Sequence, residues 1–110
     1  MKHLSIRVAL VALLLGGVLS ICTSSAAAQD AAATYKAKCA MCHGADGKGS
    51  AVGQKMGVHD FTSDDVQKQT DLQLSLIITK GKGKMPAYDG KLKDTEINDL
   101  VAYIRGLAKK

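Results

Sequence analysis

Residues 39–43 read Cys-Ala-Met-Cys-His and place two thiols and an imidazole within five positions. On an α-helix of about 3.6 residues per turn, Cys39, Cys42 and His43 share one face, within about 100° of one another. Two thiols on one face can bond the two vinyl-derived carbons at one edge of a haem, and the histidine can then reach the iron. The C-x-x-C-H spacing therefore predicts one covalently attached c-type haem.

A thioredoxin-like thiol pair and a structural zinc site are the two alternatives for these cysteines. The thiol pair follows a strand in a βαβ unit, whereas the alanine-rich segment 31–38 before Cys39 favours a helix. A structural zinc site needs four ligands. After residue 28, His59 is the only further histidine and the chain has no further cysteine. Haem attachment fits the sequence better than either alternative.

The second axial ligand decides the class of function, because a five-coordinate haem iron binds gases or reacts, whereas a six-coordinate iron mostly passes electrons. Met41 lies between the cysteines, on the same side as the histidine, and cannot reach the opposite face. Met56 is interpreted as a core residue and His59 as a surface or hydrogen-bonding residue. Met85 follows two glycines and precedes Pro86. These neighbours favour a non-helical loop that can lay a thioether over the haem, so Met85 is the predicted ligand.

The chain has 110 residues and a formal net charge of +5, which limits it to one ordinary domain. Its first 28 residues contain a short basic segment, an apolar run over 8–19 and an Ala-x-Ala site ending at Ala28. This order is typical of a cleaved secretory signal, so we predict a signal peptide over 1–28 and a mature domain over 29–110. The predicted location is periplasmic.

A membrane anchor and a lipid-modified cysteine are the two alternatives for the first segment. The apolar run is shorter than the roughly 20 residues that a membrane-spanning helix needs, so we expect no stable membrane insertion after cleavage. Cys22 could carry a lipid, but the preceding Ile21 is larger than the small residue that lipoprotein signals place there. A cleaved signal fits better than an anchor or a lipid.

The elements that must position these residues are predicted to be helices, and no segment gives a convincing strand signal. Apolar periodicity and capping residues predict helices over 31–41, 71–79 and 94–108, with a short extra turn at Asp64. For the second helix, Asp71 is the candidate N-cap, and the apolar stripe is Leu72, Leu76 and Ile77, widened by Leu74 and Ile78. Residues 44–57 contain five glycines and are predicted to form a loop. The predicted class is all-α, with Tyr35 and Tyr103 packing between the terminal helices.

The sequence resembles a known family in three places. Residues 35–49, 84–88 and 96–105 are similar to the opening segment, the methionine loop and the closing helix of small class I cytochromes c. The resemblance implies the class I cytochrome c fold, with about three to four helices wrapped around one covalent haem. It also implies outer-sphere electron transfer rather than catalysis.

The same resemblance assigns the site residues. It implies that Cys39 and Cys42 form the thioethers, that His43 is the proximal ligand and that Met85 is the distal ligand. Two departures are visible: Ala31 stands where relatives often have glycine, and no proline follows the motif to mark an acceptor for the His43 Nδ1–H. The second departure leaves that acceptor unassigned, although such a bond tunes the iron.

Charge suggests the kind of partner. Several lysines flank the methionine loop (Lys80, Lys82 and Lys84) or lie near the haem motif (Lys36, Lys38, Lys48 and Lys55). They could steer acidic redox proteins, or they could be ordinary solvated side chains. Nucleic-acid binding is not expected, because lysines do not alternate with aromatic residues. We expect a monomer. The alternative functions are a module of a larger oxidase or dehydrogenase complex, and a haem enzyme or gas sensor with an open sixth site.

Overall fold

The computed structural model describes residues 26–110, in which six helices follow one another without a strand. The helices are α1 (Ala26–Lys38), α2 (Ala40–His43), α3 (Ala51–Lys55), α4 (Asp64–Gln67), α5 (Asp71–Lys80) and α6 (Asp94–Leu107). Three of them are long and overlap the three predicted helices, while the other three are single turns. The predicted all-α class is confirmed.

The first helix starts earlier and ends earlier than predicted. It already includes Ala26, the first described residue, and the alanines at 26–28 are strong helix formers. It ends at Lys38, and Cys39 starts the next helical turn with φ −117° and ψ −37°. The predicted cleavage point after Ala28 falls in the first turn of α1. Residues 1–25, which hold most of the predicted signal and Cys22, lie outside the described residues.

The loop predicted over 44–57 contains a short helix, so that prediction was wrong for residues 51–55. Ser50 caps α3, and its hydroxyl accepts a hydrogen bond from the Gly53 N–H at 3.0 Å. The local glycines disfavour a helix, but packing against α2 overrides this preference. The extra turn predicted at Asp64 is confirmed as α4.

Side-chain caps fix where α5 and α6 begin. Thr70, not Asp71 as predicted, caps α5: its hydroxyl accepts from Gln73 N–H, and the Gln73 side chain accepts from Thr70 N–H. This reciprocal capping box satisfies two backbone donors at the helix start. At α6 the Glu96 carboxylate accepts from the Lys93 N–H at 2.7 Å.

The core lies where α6 crosses α1 and α5. Tyr35 of α1 and Leu100 of α6 are its largest fully buried side chains. Ala31 is 5% exposed, so the small side chain lets the terminal helices pack closely. The Tyr35 and Tyr103 rings lie 4.9 Å apart, which confirms their predicted packing. Other buried core residues are Val66, Leu74, Ile78, Ile97, Val101, Ile104 and Leu107.

The buried face of α5 is narrower than the predicted apolar stripe. Leu74 and Ile78 are buried, whereas Leu72 is 69% exposed and Leu76 43% exposed. The predicted stripe was Leu72, Leu76 and Ile77, widened by Leu74 and Ile78. Only the two widening residues are buried, because five of the seven residues from 72 to 78 are apolar and the sequence alone leaves the rotation open.

Arg105 of α6 fixes the chain that leads into α5. Its guanidinium donates to the carboxylate of Asp71 at 2.9 Å and to the Gln67 backbone carbonyl at 3.1 Å. It also donates to the Gln69 backbone carbonyl. The planar guanidinium thus holds three successive points of one connection. Among the helices within 26–110, none is both long and apolar enough to cross a membrane.

Candidate haem site

A cavity of about 320 Å³ lies between the end of α1, the loop after α5, and the core faces of α5 and α6. Its volume falls in the range of about 300–1,000 Å³ that is typical of small-molecule sites. Cys39, Cys42, His43 and Met85, the four predicted site residues, all line it. Most of its remaining wall is apolar, formed by Tyr35, Val58, Phe61, Val66, Leu74, Ile77, Ile78, Leu92, Leu100 and Ile104.

The two thiols and the imidazole sit on one helical turn. The His43 N–H donates to the Cys39 carbonyl at 2.9 Å, and the Cys39 N–H donates to the Tyr35 carbonyl at 2.9 Å. The motif therefore keeps helical hydrogen bonding although α1 has ended. Both cysteines are half-buried. Burial raises the pKa of the Cys39 thiol, and the Lys38 ammonium partly opposes this shift.

Hydrogen bonds and close packing from the segment 49–53 hold the backbone carbonyls of this turn. The Ser50 hydroxyl donates to the Met41 carbonyl at 2.5 Å, the Ser50 N–H donates to the Cys42 carbonyl at 3.0 Å, and the Gly49 N–H donates to the His43 carbonyl at 2.8 Å. Gly53 lies so close that a Cβ atom there would overlap the Cys42 carbonyl oxygen. Only glycine permits this approach.

The His43 imidazole is half-buried and stacks on the Phe61 ring, with centroids 4.4 Å apart and planes inclined by 24°. Its Nδ1 is buried and has no hydrogen-bond partner within residues 26–110. Burial lowers the pKa of His43, and nearby His59 lowers it further. The shift favours the neutral imidazole, which is the form that binds metals.

Met85 belongs to a loop built on a tight turn. The Met85 N–H donates to the Lys82 carbonyl at 3.0 Å, and the Lys82 N–H donates to the Met85 carbonyl at 3.3 Å. Gly81, with φ +72° and ψ 169°, starts this turn in a conformation that essentially only glycine adopts. The predicted non-helical loop is confirmed, and it places Met85 at the cavity wall.

Tyr88 joins this loop to the rest of the site. Its backbone N–H donates to the Ile78 carbonyl of α5 at 3.1 Å. Its hydroxyl donates to the Lys38 carbonyl, at the end of α1, at 3.1 Å. Burial raises the pKa of the Tyr88 hydroxyl, and the nearby Cys39 and Cys42 thiols raise it further. Tyr88 therefore ties the methionine loop to the residue before the first thiol.

The other candidate ligands take different places. Met41 is 79% exposed and is not part of the cavity wall, in agreement with its exclusion. Met56 is 38% exposed and lines the cavity, so its interpretation as a core residue was wrong. His59 is exposed at the cavity wall. Gly53 of α3 packs against Cys42 of α2, whereas Met56, just after α3, is exposed.

The donor set suits a haem better than a bare metal ion. Within 26–110, no group of three or more His, Cys, Asp or Glu side chains is placed to hold a metal ion, which disfavours the zinc alternative. Two thiols, one neutral imidazole and one thioether instead border a single apolar cavity. A macrocycle with an iron centre fits these walls, because its rim is apolar and its axial positions take nitrogen and sulfur.

Sequence reasoning missed several residues that shape the site, among them Phe61, Ser50 and Gly53. Phe61 is the single phenylalanine of the chain, and this was the feature of the sequence that could have identified it as a site residue. Ser50 is followed three residues later by Gly53, a spacing that does not separate a helix cap from an ordinary turn.

Comparison with known proteins gives a consistent family. Residues 26–104 match the family described as cytochrome C oxidase, cbb3-type, subunit III. Cytochrome c6 of Anabaena variabilis is 36% identical over 78 residues, which cover 68% of this chain and 85% of the relative. Cytochrome c-555 of Methylococcus capsulatus is 33% identical over an alignment of 114 positions, which covers 96% of this chain and 85% of the relative.

A solved structure supports the same grouping. The KustC0563 c-type cytochrome superposes with a TM-score of 0.67 at 30% identity, over 71% of this chain and 96% of the other. The predicted resemblance, fold class and cofactor are thereby confirmed. A cavity bordered by paired thiols, an imidazole and a thioether, together with these relatives, shows that the chain belongs to the small class I cytochromes c, which carry one covalently bound haem c.

Proposed function

We propose that the protein is a soluble periplasmic electron carrier and not an enzyme. In this proposal Cys39 and Cys42 form the two thioethers, His43 is the proximal ligand and Met85 is the distal ligand. The observation that carries it is the convergence of these four side chains on one apolar cavity. When bound, the haem supplies a one-electron couple between ferric and ferrous iron, passed by outer-sphere transfer.

The residues around the cavity set the conditions for that couple. Apolar walls from α5 and α6 keep water away, and a thioether ligand favours the reduced iron, so a fairly positive potential is expected. The backbone bonds from Ser50 and Gly49 hold the proximal turn in one geometry. A rigid set of ligands keeps rearrangement small when the iron changes oxidation state.

The surface around the cavity supports an acidic redox partner. Lys38, Lys82 and Lys84 are exposed and border the cavity opening. Positive side chains at this place would attract acidic docking surfaces and raise the association rate at low salt. The protein is proposed to act as a monomer, since a carrier must present this edge to its donor and its acceptor in turn.

Replacing Met85 tests the proposal. We expect Met85→Ala in the holoprotein to lose the weak near-infrared sulfur-to-iron absorption band, to bind added imidazole and to show a lower potential. Met56→Ala is the matched control, because Met56 also lines the cavity and should leave all three properties unchanged. An unchanged Met85→Ala spectrum would remove Met85 from the iron and support an open-site enzyme or gas sensor.

A second candidate is a haem c module of a larger membrane oxidase or dehydrogenase. It is favoured by the match of residues 26–104 to a family described by an oxidase subunit. Fractionation separates the two. Release on periplasmic extraction, with an intact mass that begins at Gln29 and includes one haem, supports the free carrier. Retention in a membrane complex supports the module, and an added lipid mass at Cys22 supports an anchor.

A further inference from the structure

The side chain of Gln67, the last residue of α4, joins two parts of the molecule that lie far apart in the sequence. Its amide oxygen accepts from the Arg105 guanidinium of α6 at 3.2 Å, and its amide nitrogen donates to the Phe61 backbone carbonyl at 2.6 Å. Both hydrogen bonds are partly buried. One amide therefore connects the C-terminal helix to the residue whose ring packs on the predicted proximal ligand.

The chemistry of its two neighbours fixes the orientation of this amide. A guanidinium offers only donors and a backbone carbonyl only an acceptor, so Gln67 must turn its oxygen to Arg105 and its nitrogen to Phe61. The positive charge next to the oxygen also polarises the amide and strengthens the N–H donor at its other end. A carboxylate in this place keeps the first hydrogen bond and loses the second.

Arg105 is a firm anchor for this amide. It also donates to the Gln67 backbone carbonyl at 3.1 Å and to the Asp71 carboxylate at 2.9 Å. The helix that Gln67 ends is a single turn of four residues, and so short a helix is not stable by itself. The guanidinium thus supplies support that the local hydrogen bonds of α4 do not give.

Phe61 carries this support to the haem site. Its ring stacks on the His43 imidazole, with the two centroids 4.4 Å apart. Its N–H donates to the Gly47 carbonyl at 2.9 Å, and a Cβ atom on the buried Gly47 would meet the Phe61 ring at 3.0 Å. Gly47 therefore holds the N–H of Phe61 and Gln67 holds its carbonyl, which fixes the backbone from which the stacked ring projects.

We propose that Gln67 is a positioning residue, whose amide connects Arg105 to Phe61 and thereby keeps the Phe61 ring in place against the His43 imidazole. This inference rests on the proposed role of His43 as the proximal ligand. A ring held against the imidazole restricts its rotation about the bond to iron, because each rotation must displace Phe61. Gln67 is not part of the cavity wall, so it acts only through its neighbours.

The test compares ferric holoprotein variants by electron paramagnetic resonance and by the paramagnetic shifts of the haem methyl protons. Both signals follow the orientation of the axial ligands. Gln67→Glu keeps an oxygen for Arg105 but turns a second acceptor toward the Phe61 carbonyl, so that hydrogen bond is lost. We expect shifted g values and a changed order of the methyl shifts.

Asp71→Asn is the matched control, because it removes the ion pair of the same guanidinium and leaves the Gln67 amide in place. It should lower stability and leave the g values and methyl shifts unchanged. The inference is overturned if Gln67→Glu keeps the wild-type pattern, or if Asp71→Asn changes that pattern as much as Gln67→Glu does.

A measurement on the wild-type protein tests the inference even where Gln67→Glu does not fold. In ferrous holoprotein labelled with nitrogen-15, the Gln67 side-chain amide should exchange its bonded proton with water about tenfold more slowly than the amide of the exposed Gln73. Equal exchange of the two side chains would overturn the inference. Failure of the proposed function looks different, because wild-type protein would then lack covalent haem or low-spin histidine–methionine iron.

Discussion

The turn that carries His43 and the loop that carries Met85 border the same cavity but are built in different ways. Hydrogen bonds from Gly49 and Ser50 hold successive carbonyls of the proximal turn, and Gly53 packs against it without a side chain. The methionine loop depends on a two-bond turn, on backbone bonds from residues 88 and 89 to α5, and on the Tyr88 hydroxyl.

This difference indicates which of the two proposed axial ligands, His43 or Met85, can be displaced more easily from the iron. The proximal side is fixed by packing and by many local bonds, so displacing the imidazole would break a large part of the structure. The distal side can open at a smaller cost, because local openings draw on elements with few buried contacts. In the proposed holoprotein, we therefore expect Met85 to leave the iron before any other part of the site unfolds.

The largest predicted effect concerns the proximal packing. Gly53→Ala would drive a Cβ atom into the Cys42 carbonyl oxygen. That oxygen cannot move without moving the helical turn that carries the two cysteines and His43. We expect a loss of about 3 kcal/mol in the free energy of unfolding, measured by denaturant titration of the holoprotein.

Gly106→Ala is the control for Gly53→Ala, because this helical position has open space around a Cβ atom. It should stabilise the protein by about 0.5–1 kcal/mol. Equal stabilities of the two variants would contradict the close approach of α3 to the haem turn.

The second effect concerns the distal turn. Gly81→Ala meets the Met85 carbonyl at 2.6 Å and the Ala87 nitrogen at 2.9 Å, in a backbone conformation that disfavours alanine. We expect a loss of about 2 kcal/mol together with a weaker near-infrared sulfur-to-iron band, while covalent haem is retained.

Gly83→Ala is its control, since φ is +58° but nothing lies within 4 Å of a Cβ atom. It should lose about 1 kcal/mol from strain and keep the band. Loss of the band in both variants would mean that backbone strain, not the contact with Met85, governs ligation.

The smallest predicted effect concerns the hydrogen bonds that the hydroxyls of Tyr88 and Tyr35 donate to backbone carbonyls. Tyr88→Phe removes the bond to the Lys38 carbonyl and should cost about 1 kcal/mol, with a roughly fivefold easier displacement of Met85 by added imidazole. Tyr35→Phe removes the 2.7 Å bond to the Gly44 carbonyl and should cost a similar amount without changing imidazole binding. If both variants bind imidazole equally well, Tyr88 does not restrain the methionine loop.

Much of this site was predictable because its chemistry is local in the chain. Cys39, Cys42 and His43 fall within five residues, and the glycines and proline around Met85 specify a turn by their own backbone preferences. The long helices were predictable for the same reason, since apolar periodicity and caps act over a few residues.

The rest depended on contacts between distant residues. The stack of Phe61 on His43 joins residues 18 positions apart, which no spacing rule predicts. Helix α3 forms because Gly53 lets it pack on Cys42, against its own weak propensity. The exposure of Leu72 follows from how α5 meets α6, and the sequence of α5 alone leaves that rotation open.

The helical turn from Cys39 to His43 has a consequence for refolding. In the proposed holoprotein both thioethers and the proximal ligand belong to five consecutive residues, so the prosthetic group stays with the chain after every other element has come apart. Dilution then cannot separate the two, and recovery of the native state needs no second-order encounter. The melting temperature should be the same at any protein concentration.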